Sequence, residues 1–358
     1  MTMASQKEIL KLVQTILNDL CQEFKSDSHT KEKRVVYIAT QGVEDVGVEY
    51  PKIVTFKVKT VLRSVANGKC EDLDGLSVEL LKWGGDNILP FLTKALEDAS
   101  VYGFPQSWSL RKIIPIHKSG RKDVATNYRT IMVGIVFAKV FGKLLESKLN
   151  TWTESFQKRS RLQAGFRPTY SAVDHVLVLR VLWEKSKGNA KALFCAFIDF
   201  KKAFDTVFMM LLWERLHNIG VPCDILGVVT TLYNSVQAKI NTSQPREILS
   251  TIGVIQGCTL SPTLFGIFID GIERWLDEND SEAVKIGNST IKALLYADDI
   301  VLLARDATTL QKHLNTLANF CTENEMEINL EKSKIIIVGT RSDFSFCYKE
   351  LELEQVKV

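Results

Sequence analysis

The stretch Tyr296-Ala297-Asp298-Asp299 lies between two apolar segments, residues 291–295 and residues 300–304. Apolar segments of this length are typical of buried strands, and the polar pair between them indicates a tight turn. Two neighbouring carboxylates at such a turn repel one another, and burial disfavours their ionisation. A bound cation offsets both effects, and Mg²⁺ is usually held by one or two protein carboxylates together with substrate phosphates. An exposed hairpin with an Asp-Asp turn is the alternative interpretation.

A second acid follows another apolar segment earlier in the chain. Residues 194–198 are apolar, and Asp199 comes directly after them. Two-metal phosphoryl transfer requires acids that hold two ions about 4 Å apart, so that the attacking oxygen is activated and the leaving oxygen is stabilised. The sequence therefore predicts that Asp199, Asp298 and Asp299 form one divalent-metal site.

In these two segments the chain resembles the reverse transcriptases, with Asp199 in the place of the family's first catalytic strand and Tyr-Ala-Asp-Asp in the place of its second. Further segments, in the family's order, resemble the enzymes of non-LTR (LINE-like) retrotransposons. They are residues 114–120 followed by Asn127-Tyr128-Arg129, residues 163–168, residues 253–265 and residues 328–334.

The resemblance implies an α+β fold with the palm and fingers of a right-hand polymerase, in which helices back a small antiparallel palm sheet. Residues 1–54 are predicted to form an N-terminal amphipathic helix (residues 5–24) and a linker, and residues 55–340 the reverse transcriptase fingers and palm. Residues 341–358 are expected to be a truncated C-terminal tail, with the thumb missing. Hydrophobic periodicity predicts helices over 76–100, 131–153, 172–185, 207–234 and 307–325, and strands near 236–255 and 335–339.

The resemblance also implies how the catalytic metals are held. Asp199, Asp298 and Asp299 are the expected catalytic acids and metal ligands, and the backbone carbonyl of Phe200 is a further expected ligand. The expected cofactor is Mg²⁺, for which Mn²⁺ can substitute. The reaction implied is RNA-directed DNA synthesis, in which dNTPs are added to the 3′-hydroxyl of a DNA primer on an RNA template. The alternative is an inactive retrotransposon relic that binds nucleic acid or a protein partner without synthesis.

Several other residues are predicted to bind the nucleotide. Lys118 and Arg129 are expected to contact the triphosphate, because guanidinium and ammonium groups bind phosphate oxygens. Phe204 falls where the family places a steric gate against the ribose 2′-hydroxyl, and a core phenylalanine is the alternative. Residues Gln256 and Gly257 are expected to lie against the nucleotide and the template base. Lys332 is expected to assist pyrophosphate departure, although a solvated lysine explains the pattern as well.

One family segment departs from its usual pattern. The family commonly has Pro-Gly where this chain has Glu71-Asp72. The turn is therefore expected to lose its rigid and its flexible residue and to gain two charges.

Composition limits the class of protein. The chain has 358 residues, of which 46% are hydrophobic and 24% charged, and its net charge is +3. The seven cysteines contain no C-x-x-C pair, so neither a zinc site nor a disulfide framework is predicted. No apolar run reaches the roughly 18 residues that span a bilayer, and no secretory pattern opens the chain. We therefore expect an intracellular protein, in the nucleus or cytoplasm, that is not secreted and has no membrane partner.

Charge is distributed unevenly along the chain. Residues 104–170, here called the basic segment, contain 13 Lys and Arg against three Asp and Glu. A basic segment among motifs for phosphate chemistry favours a nucleic-acid track, because neutralising the phosphate backbone dominates affinity for nucleic acids. A solvated basic face is the alternative.

Overall fold

The computed structural model describes residues 55–124, 127–188, 192–234, 236–240, 247–249, 253–279, 282–340 and 344–356. The helix expected at residues 5–24 lies outside this part of the chain. The chain divides into two compact units. Unit 1 comprises Met1–Thr151, Leu216–Thr251 and Ile255–Ser261, and unit 2 comprises Trp152–Arg215, Ile252–Val254 and Pro262–Val358.

Helices and strands alternate irregularly along the described residues. The helices are α1 Thr55–Ser64, α2 Val78–Gly84, α3 Leu89–Tyr102, α4 Gln106–Ser109, α5 Val136–Ser155, α6 Ala172–Gly188, α7 Met209–Asn218, α8 Cys223–Asn234, α9 Ser261–Ile269, α10 Gly271–Glu278 and α11 Ala307–Glu323, with a 3₁₀ turn at Gly85–Asn87. The strands are β1 Leu110–His117, β2 Tyr128–Gly134, β3 Leu193–Ile198, β4 Gln237–Ile240, β5 Glu247–Leu249, β6 Val284–Ile286, β7 Ser289–Ile291, β8 Ala293–Tyr296, β9 Asp299–Ala304, β10 Lys334–Val338, β11 Cys347–Tyr348, β12 Leu351–Glu352 and β13 Glu354–Val356.

Unit 1 contains a four-stranded sheet in the order β2-β1-β4-β5. An aromatic cluster joins the start of α5 to the residues that precede β1. Trp108 is fully buried and stacks on Phe137 with ring centroids 6.0 Å apart, and Phe104 packs edge-on against Phe141 at 5.0 Å. Buried aromatic pairs of this kind contribute beyond the area that they remove from water. The cluster therefore fixes α5 against the residues that lead into β1.

The helix predicted over residues 131–153 begins later than expected, and this part of the prediction is wrong. Residues 131–134 belong to β2, where Ile131 pairs with Ile114 and Met132 pairs with Ile113. A short apolar run fits a strand or a helix equally well, and pairing with β1 decides between them. The helix α5 starts only at Val136.

Asp72 stabilises the turn that stands where the family commonly has Pro-Gly. Its side chain is buried, and Oδ2 accepts the Val136 N–H at 2.9 Å, while Oδ1 accepts the N–H groups of Leu76 and Asp74. Burial raises the pKa of Asp72, and the hydrogen bond from Val136 opposes that rise. One of the two added charges therefore fixes the turn and supplies an acceptor to the first turn of α5, where the N–H groups otherwise lack partners.

Unit 2 is built on a five-stranded sheet in the order β13-β10-β3-β9-β8. β10, β3, β9 and β8 are antiparallel neighbours, and β13 adds to β10 in parallel. Helix α6 packs on the sheet through Leu182, which shares a buried cluster with Leu193 and Cys195 of β3. Helix α11 contacts β9 and β3. Strand β3, which has two strands on either side of it, is therefore the centre of the sheet.

Residues 354–356, beyond the expected boundary at residue 340, take part in this sheet. β11 and β12 form a small hairpin, and β13 pairs with β10 so that Glu354 lies opposite Lys334. Phe346 is buried and packs against Phe194 of β3 with centroids 6.1 Å apart. The domain boundary at residue 340 stays a prediction. No described helix has both the length and the apolar character needed to cross a membrane.

Candidate active site

Asp199 stands at the end of the central strand of unit 2, and its backbone is fixed on both sides. The carbonyl of Asp199 accepts the Asn329 N–H at 2.7 Å, and its own N–H donates to Ser333 Oγ at 3.2 Å. The next residue, Phe200, is buried and forms an isolated antiparallel bridge with Ile328. The chain segment after residue 328, which the sequence identified as a separate motif, therefore positions the first acid. Metal binding by the Phe200 carbonyl stays a prediction.

The hairpin β8–β9 carries the other two acids. Tyr296 pairs with Asp299, which leaves Ala297 and Asp298 as the two residues of the turn. β9 pairs with β3 so that Ile300 lies opposite Ile198. Because Asp299 precedes Ile300 and Asp199 follows Ile198, both acids extend the same register. The sheet thus brings Asp199 and Asp299 to the same end of neighbouring strands, and metal binding by these acids stays a prediction.

The electrostatics of this strand end are those of a crowded acidic site. Burial raises the pKa of Asp299, and the carboxylates of Asp298 and Asp199 raise it further, whereas Lys332 lowers it. The ammonium of Lys332 lies 3.7 Å from Asp199 Oδ2, and its side chain is 68% exposed. The other lysine of this segment, Lys334, pairs with Glu354 instead. Lys332 is therefore the lysine that the structure places beside the acids.

The donor chemistry of the three carboxylates fits a divalent cation that takes oxygen ligands. Mutual repulsion among Asp199, Asp298 and Asp299 is a cost that such a cation removes. Within the described part of the chain, no three or more His, Cys, Asp or Glu side chains converge closely enough to complete a metal site by themselves.

Phe204 lies between two other rings of unit 2. It stacks on the fully buried Phe265 with centroids 4.4 Å apart, and Phe166 approaches it edge-on at 6.2 Å. The backbone carbonyl of Phe204 accepts the Val254 N–H at 2.8 Å. The ring is half-buried, so it is neither a core residue nor a free surface residue. Its role as a steric gate stays a prediction.

The remaining predicted nucleotide contacts belong to unit 1. Lys118 and Arg129 are exposed at the loop end of the β1–β2 hairpin, where Arg129 pairs with Ile116. Gly257 has φ +110°, and a Cβ there would lie 2.6 Å from the carbonyl oxygen of Met132. The carbonyl of Gln256 accepts the Met132 N–H at 2.7 Å. The close approach that Gly257 permits is thus to the chain's own β2, and nucleotide binding by these residues stays a prediction.

The basic segment offers fewer surface charges than its composition indicates. Arg111, Arg159 and Arg167 are buried. Arg159 pairs with Asp270, Arg167 pairs with Glu154, and the exposed Arg121 pairs with Asp123. Phosphate binding by this segment must therefore rely on its exposed members, among them Lys118, Lys122 and Arg129.

Sequence reasoning missed Gln163, a buried residue of unit 2 whose side chain binds the backbone of Ala297 in the β8–β9 turn. It lies in the segment 163–168, whose resemblance to the family assigned no role to the glutamine. Buried glutamines are uncommon, and the polar atoms of a buried side chain require hydrogen-bond partners. A glutamine in an apolar segment therefore indicates that the side chain has partners, but the sequence does not show which residue's backbone it binds.

Comparison with known proteins gives a family match. Residues 116–355 match the family described as "Reverse transcriptase (RNA-dependent DNA polymerase)". The chain is 26% identical over 230 residues to the Retrovirus-related Pol polyprotein from type-2 retrotransposable element R2DM of Drosophila melanogaster, which covers 64% of this chain and 21% of that protein. It is 27% identical over 238 residues to the type-1 element R2 polyprotein of Popillia japonica, with coverage of 66% and 33%.

A third relative aligns with most of the chain. The RNA-directed DNA polymerase from mobile element jockey of Drosophila melanogaster is 22% identical over 347 residues, which are 93% of this chain and 37% of that protein. The chain thus spans between 21% and 37% of the length of these three relatives.

Telomerases are among the solved structures with a similar fold. The apo telomerase from Candida tropicalis matches with a TM-score of 0.50 at 15% identity, over 84% of this chain and 64% of that one. A form of it truncated from the C-terminal domain matches with a TM-score of 0.50 at 17% identity, over 69% and 54%. At these identities the likeness concerns the fold alone, and it confirms the expected α+β palm-and-fingers class.

Proposed function

Because the chain belongs to the reverse transcriptase (RNA-dependent DNA polymerase) family, a family of nucleotidyltransferases, we propose that it catalyses RNA-directed DNA synthesis. The proposed substrates are an RNA template, a DNA primer and dNTPs. The proposed cofactor is Mg²⁺, with Mn²⁺ as a substitute, and the proposed location is the nucleus or cytoplasm.

One observation carries the proposal. The register of β3 and β9 brings Asp199 and Asp299 to the same end of neighbouring strands, although about a hundred residues separate them in the chain. Asp298 lies in the adjacent β8–β9 turn, and Lys332 lies beside Asp199. Clustered acids at a strand end, where Asp298 and Asp199 raise the pKa of Asp299, support a cation-dependent phosphoryl transfer better than any structural role does.

The proposed reaction forms one bond and breaks another. The 3′-oxygen of the primer attacks the α-phosphorus of the dNTP, the bond from that phosphorus to the bridging oxygen breaks, and pyrophosphate leaves. Asp199, Asp298 and Asp299 would hold the divalent cations. When bound, these cations lower the pKa of the attacking hydroxyl and stabilise the charge of the leaving group. Lys332 adds a positive charge beside Asp199, and we assign it to the departing pyrophosphate.

The nucleotide is placed by residues from several motifs. In this proposal the half-buried ring of Phe204 excludes a ribose 2′-hydroxyl, and its support from Phe265 and Phe166 favours that role. Lys118 and Arg129 bind the triphosphate, for which their exposure leaves them available. Gln256 and Gly257 lie against the nucleotide and template base by resemblance to the family.

Primer extension on a poly(rA)/oligo(dT) hybrid with dTTP and Mg²⁺ or Mn²⁺ tests the proposal. We expect metal-dependent extension that Asp199→Asn lowers by about 100-fold or more, because the charge of the transition state is no longer stabilised. Asp277→Asn is the matched control, since Asp277 is an exposed acid of the same unit that pairs with Lys292. Hybrid binding without extension by the unmodified chain would favour the relic that binds nucleic acid.

A further inference from the structure

The turn that carries the catalytic acids has a strained backbone. Ala297, its first residue, has φ +57° and is 4% exposed. Residues with a Cβ rarely adopt this left-handed conformation, and glycine is the usual residue at such a position in a tight hairpin. A conformation of this kind persists only where the surrounding structure fixes it. The contacts of Ala297 therefore decide where Asp298 and Asp299 lie.

The side chain of Gln163 binds both backbone polar groups of Ala297. Its Oε1 accepts the Ala297 N–H at 2.8 Å, and its Nε2 donates to the Ala297 carbonyl at 3.4 Å. The same Oε1 accepts the Gly165 N–H at 2.7 Å. Gln163 is fully buried, so no solvent replaces these bonds if the amide is removed.

The backbone around Gln163 lies directly against the hairpin. Leu295 of β8 donates its N–H to the carbonyl of Leu162 at 2.9 Å and accepts the Ala164 N–H at 2.8 Å. A Cβ on Gly165 would lie 2.2 Å from the nitrogen of Ala297. Only glycine permits this approach, and the short segment 162–165 therefore adds to the edge of β8 next to the turn.

Arg167 in turn holds the segment that carries Gln163. Its guanidinium forms a two-point ion pair with Glu154 of α5, at 2.8 and 2.6 Å. Its Nη1 donates to the carbonyl of Ser160 at 2.5 Å and to that of Gln163 at 3.0 Å. The backbone of Gln163 is thus fixed from the end of helix α5, and its side chain transmits that position to the turn.

We propose that Gln163 is a positioning residue of the active site, which holds Ala297 in its left-handed conformation and thereby places Asp298 and Asp299 for cation binding. An effect of Gln163 on DNA synthesis rests on the proposed function. The contact between Gln163 and the Ala297 backbone is present without metal and can be tested independently of that function.

Gln163→Leu tests the proposal, with Gln311→Leu as its matched control. Gln311 also binds both backbone groups of one residue, Cys347, at 2.7 and 3.0 Å, but at the β11–β12 hairpin. In metal-free protein, we expect amide hydrogen exchange of Ala297 to be at least about tenfold faster in Gln163→Leu and unchanged in Gln311→Leu. Mn²⁺ affinity, followed by electron paramagnetic resonance, should fall about tenfold in Gln163→Leu alone.

A second substitution separates positioning from general destabilisation. Ala297→Gly removes the backbone strain, so Gln163→Leu combined with Ala297→Gly should recover Mn²⁺ affinity to within about threefold of the unmodified chain. If Gln163→Leu does not fold, Gln163→Glu retains the acceptor oxygen and should keep the Ala297 amide protected. Unchanged Ala297 exchange in Gln163→Leu, rapid exchange in Gln163→Glu, or no recovery in the double variant would each overturn the proposal.

These readouts also keep the two proposals distinguishable. If the unmodified chain does not extend a primer, the proposed function fails, while exchange and Mn²⁺ binding still report on Gln163. If extension occurs but Ala297 exchange does not depend on Gln163, only the positioning role is overturned.

Discussion

At the scale of single residues, Phe204 has a position that makes its proposed role testable. Its ring is held by Phe265 and Phe166, so it presents one fixed edge. Phe204→Ala should raise rNTP incorporation relative to dNTP incorporation about tenfold or more, because the excluding ring is removed while the acids remain. The measurement is the ratio of kcat/KM for UTP and dTTP on poly(rA)/oligo(dT).

A general weakening of packing has to be distinguished from removal of the gate. Phe320 is a buried phenylalanine of α11 that packs on Trp275, and Phe320→Leu is the matched control. It should lower stability and leave the rNTP-to-dNTP ratio unchanged. If Phe204→Ala also leaves the ratio unchanged, Phe204 is a packing residue and the gate is elsewhere.

His313 links stability to pH through a single buried ring. It is fully buried in α11, and neither ring nitrogen has a hydrogen-bond partner among the residues that the structure describes. Burial lowers the pKa of His313 from 6.5 to about 4, with a smaller lowering from Lys292, and Asp306 opposes both. His313 is therefore protonated near pH 6.5 in the unfolded chain but only near pH 4 in the folded chain. The free energy of unfolding consequently falls as the pH drops from about 6.5 to about 4.

His313→Leu should remove this pH dependence. We expect the variant to be more stable than the unmodified chain at pH 4 by up to about 3 kcal/mol, with a smaller difference above pH 7. Urea unfolding at several pH values measures it. A difference between the two proteins that does not change from pH 7 to pH 4 would show that His313 does not remain neutral in the folded state.

Whether a site residue could be predicted from the sequence depended on the kind of interaction that it makes. Asp199, Asp298 and Asp299 stood out because acids beside apolar segments are costly, and the structure brings Asp199 and Asp299 to one strand end. Gln163 was not predicted as a site residue, because its function lies in bonds to the backbone of Ala297 across 134 positions of sequence. Such a bond leaves no pattern in the local sequence.

At the scale of elements, one apolar run was assigned to the wrong secondary structure. Helix α6 begins at Ala172 as its periodicity predicted, whereas residues 131–134 form a strand in place of the expected helix. The apolar run there has no periodicity that separates the two states, and pairing with β1 settles it. The buried arginines of the basic segment show the same limit, since composition does not reveal which charges face inward.

The exposed part of the basic segment should bind nucleic acid in a salt-dependent way. Lys118→Ala combined with Lys122→Ala should make the slope of log affinity against log salt shallower, by about 1 for each phosphate that the protein no longer neutralises. Titration of an RNA/DNA hybrid at several salt concentrations measures the slope. Lys143→Ala is the control, since Lys143 already pairs with Glu146 at 2.6 Å. Equal slopes in all three proteins would favour the solvated-face interpretation.

At the scale of the whole molecule, the candidate site depends on one sheet. β3 and the β8–β9 hairpin are far apart in the chain, and their acids reach the same strand end only because β3 pairs with β9 in a register that aligns Ile198 with Ile300. A register shifted by one residue would send the side chains of a strand to the opposite face. The sequence indicated the acids and, by resemblance, the fold, but the register that joins them is a property of the folded sheet.

We propose that Asp199 and Asp299 act as one catalytic unit, and a double-mutant cycle is the sharpest test of this coupling. The measurement is the single-turnover rate constant for adding one dTMP to oligo(dT) on poly(rA), in the unmodified chain, in Asp199→Asn, in Asp299→Asn and in the double variant. Groups that act together lose nearly all of their effect when either is removed, so the double variant should be no more than about threefold slower than the slower single variant. Reductions that multiply in the double variant would mean that the two acids act independently, which contradicts a shared metal site at this strand end.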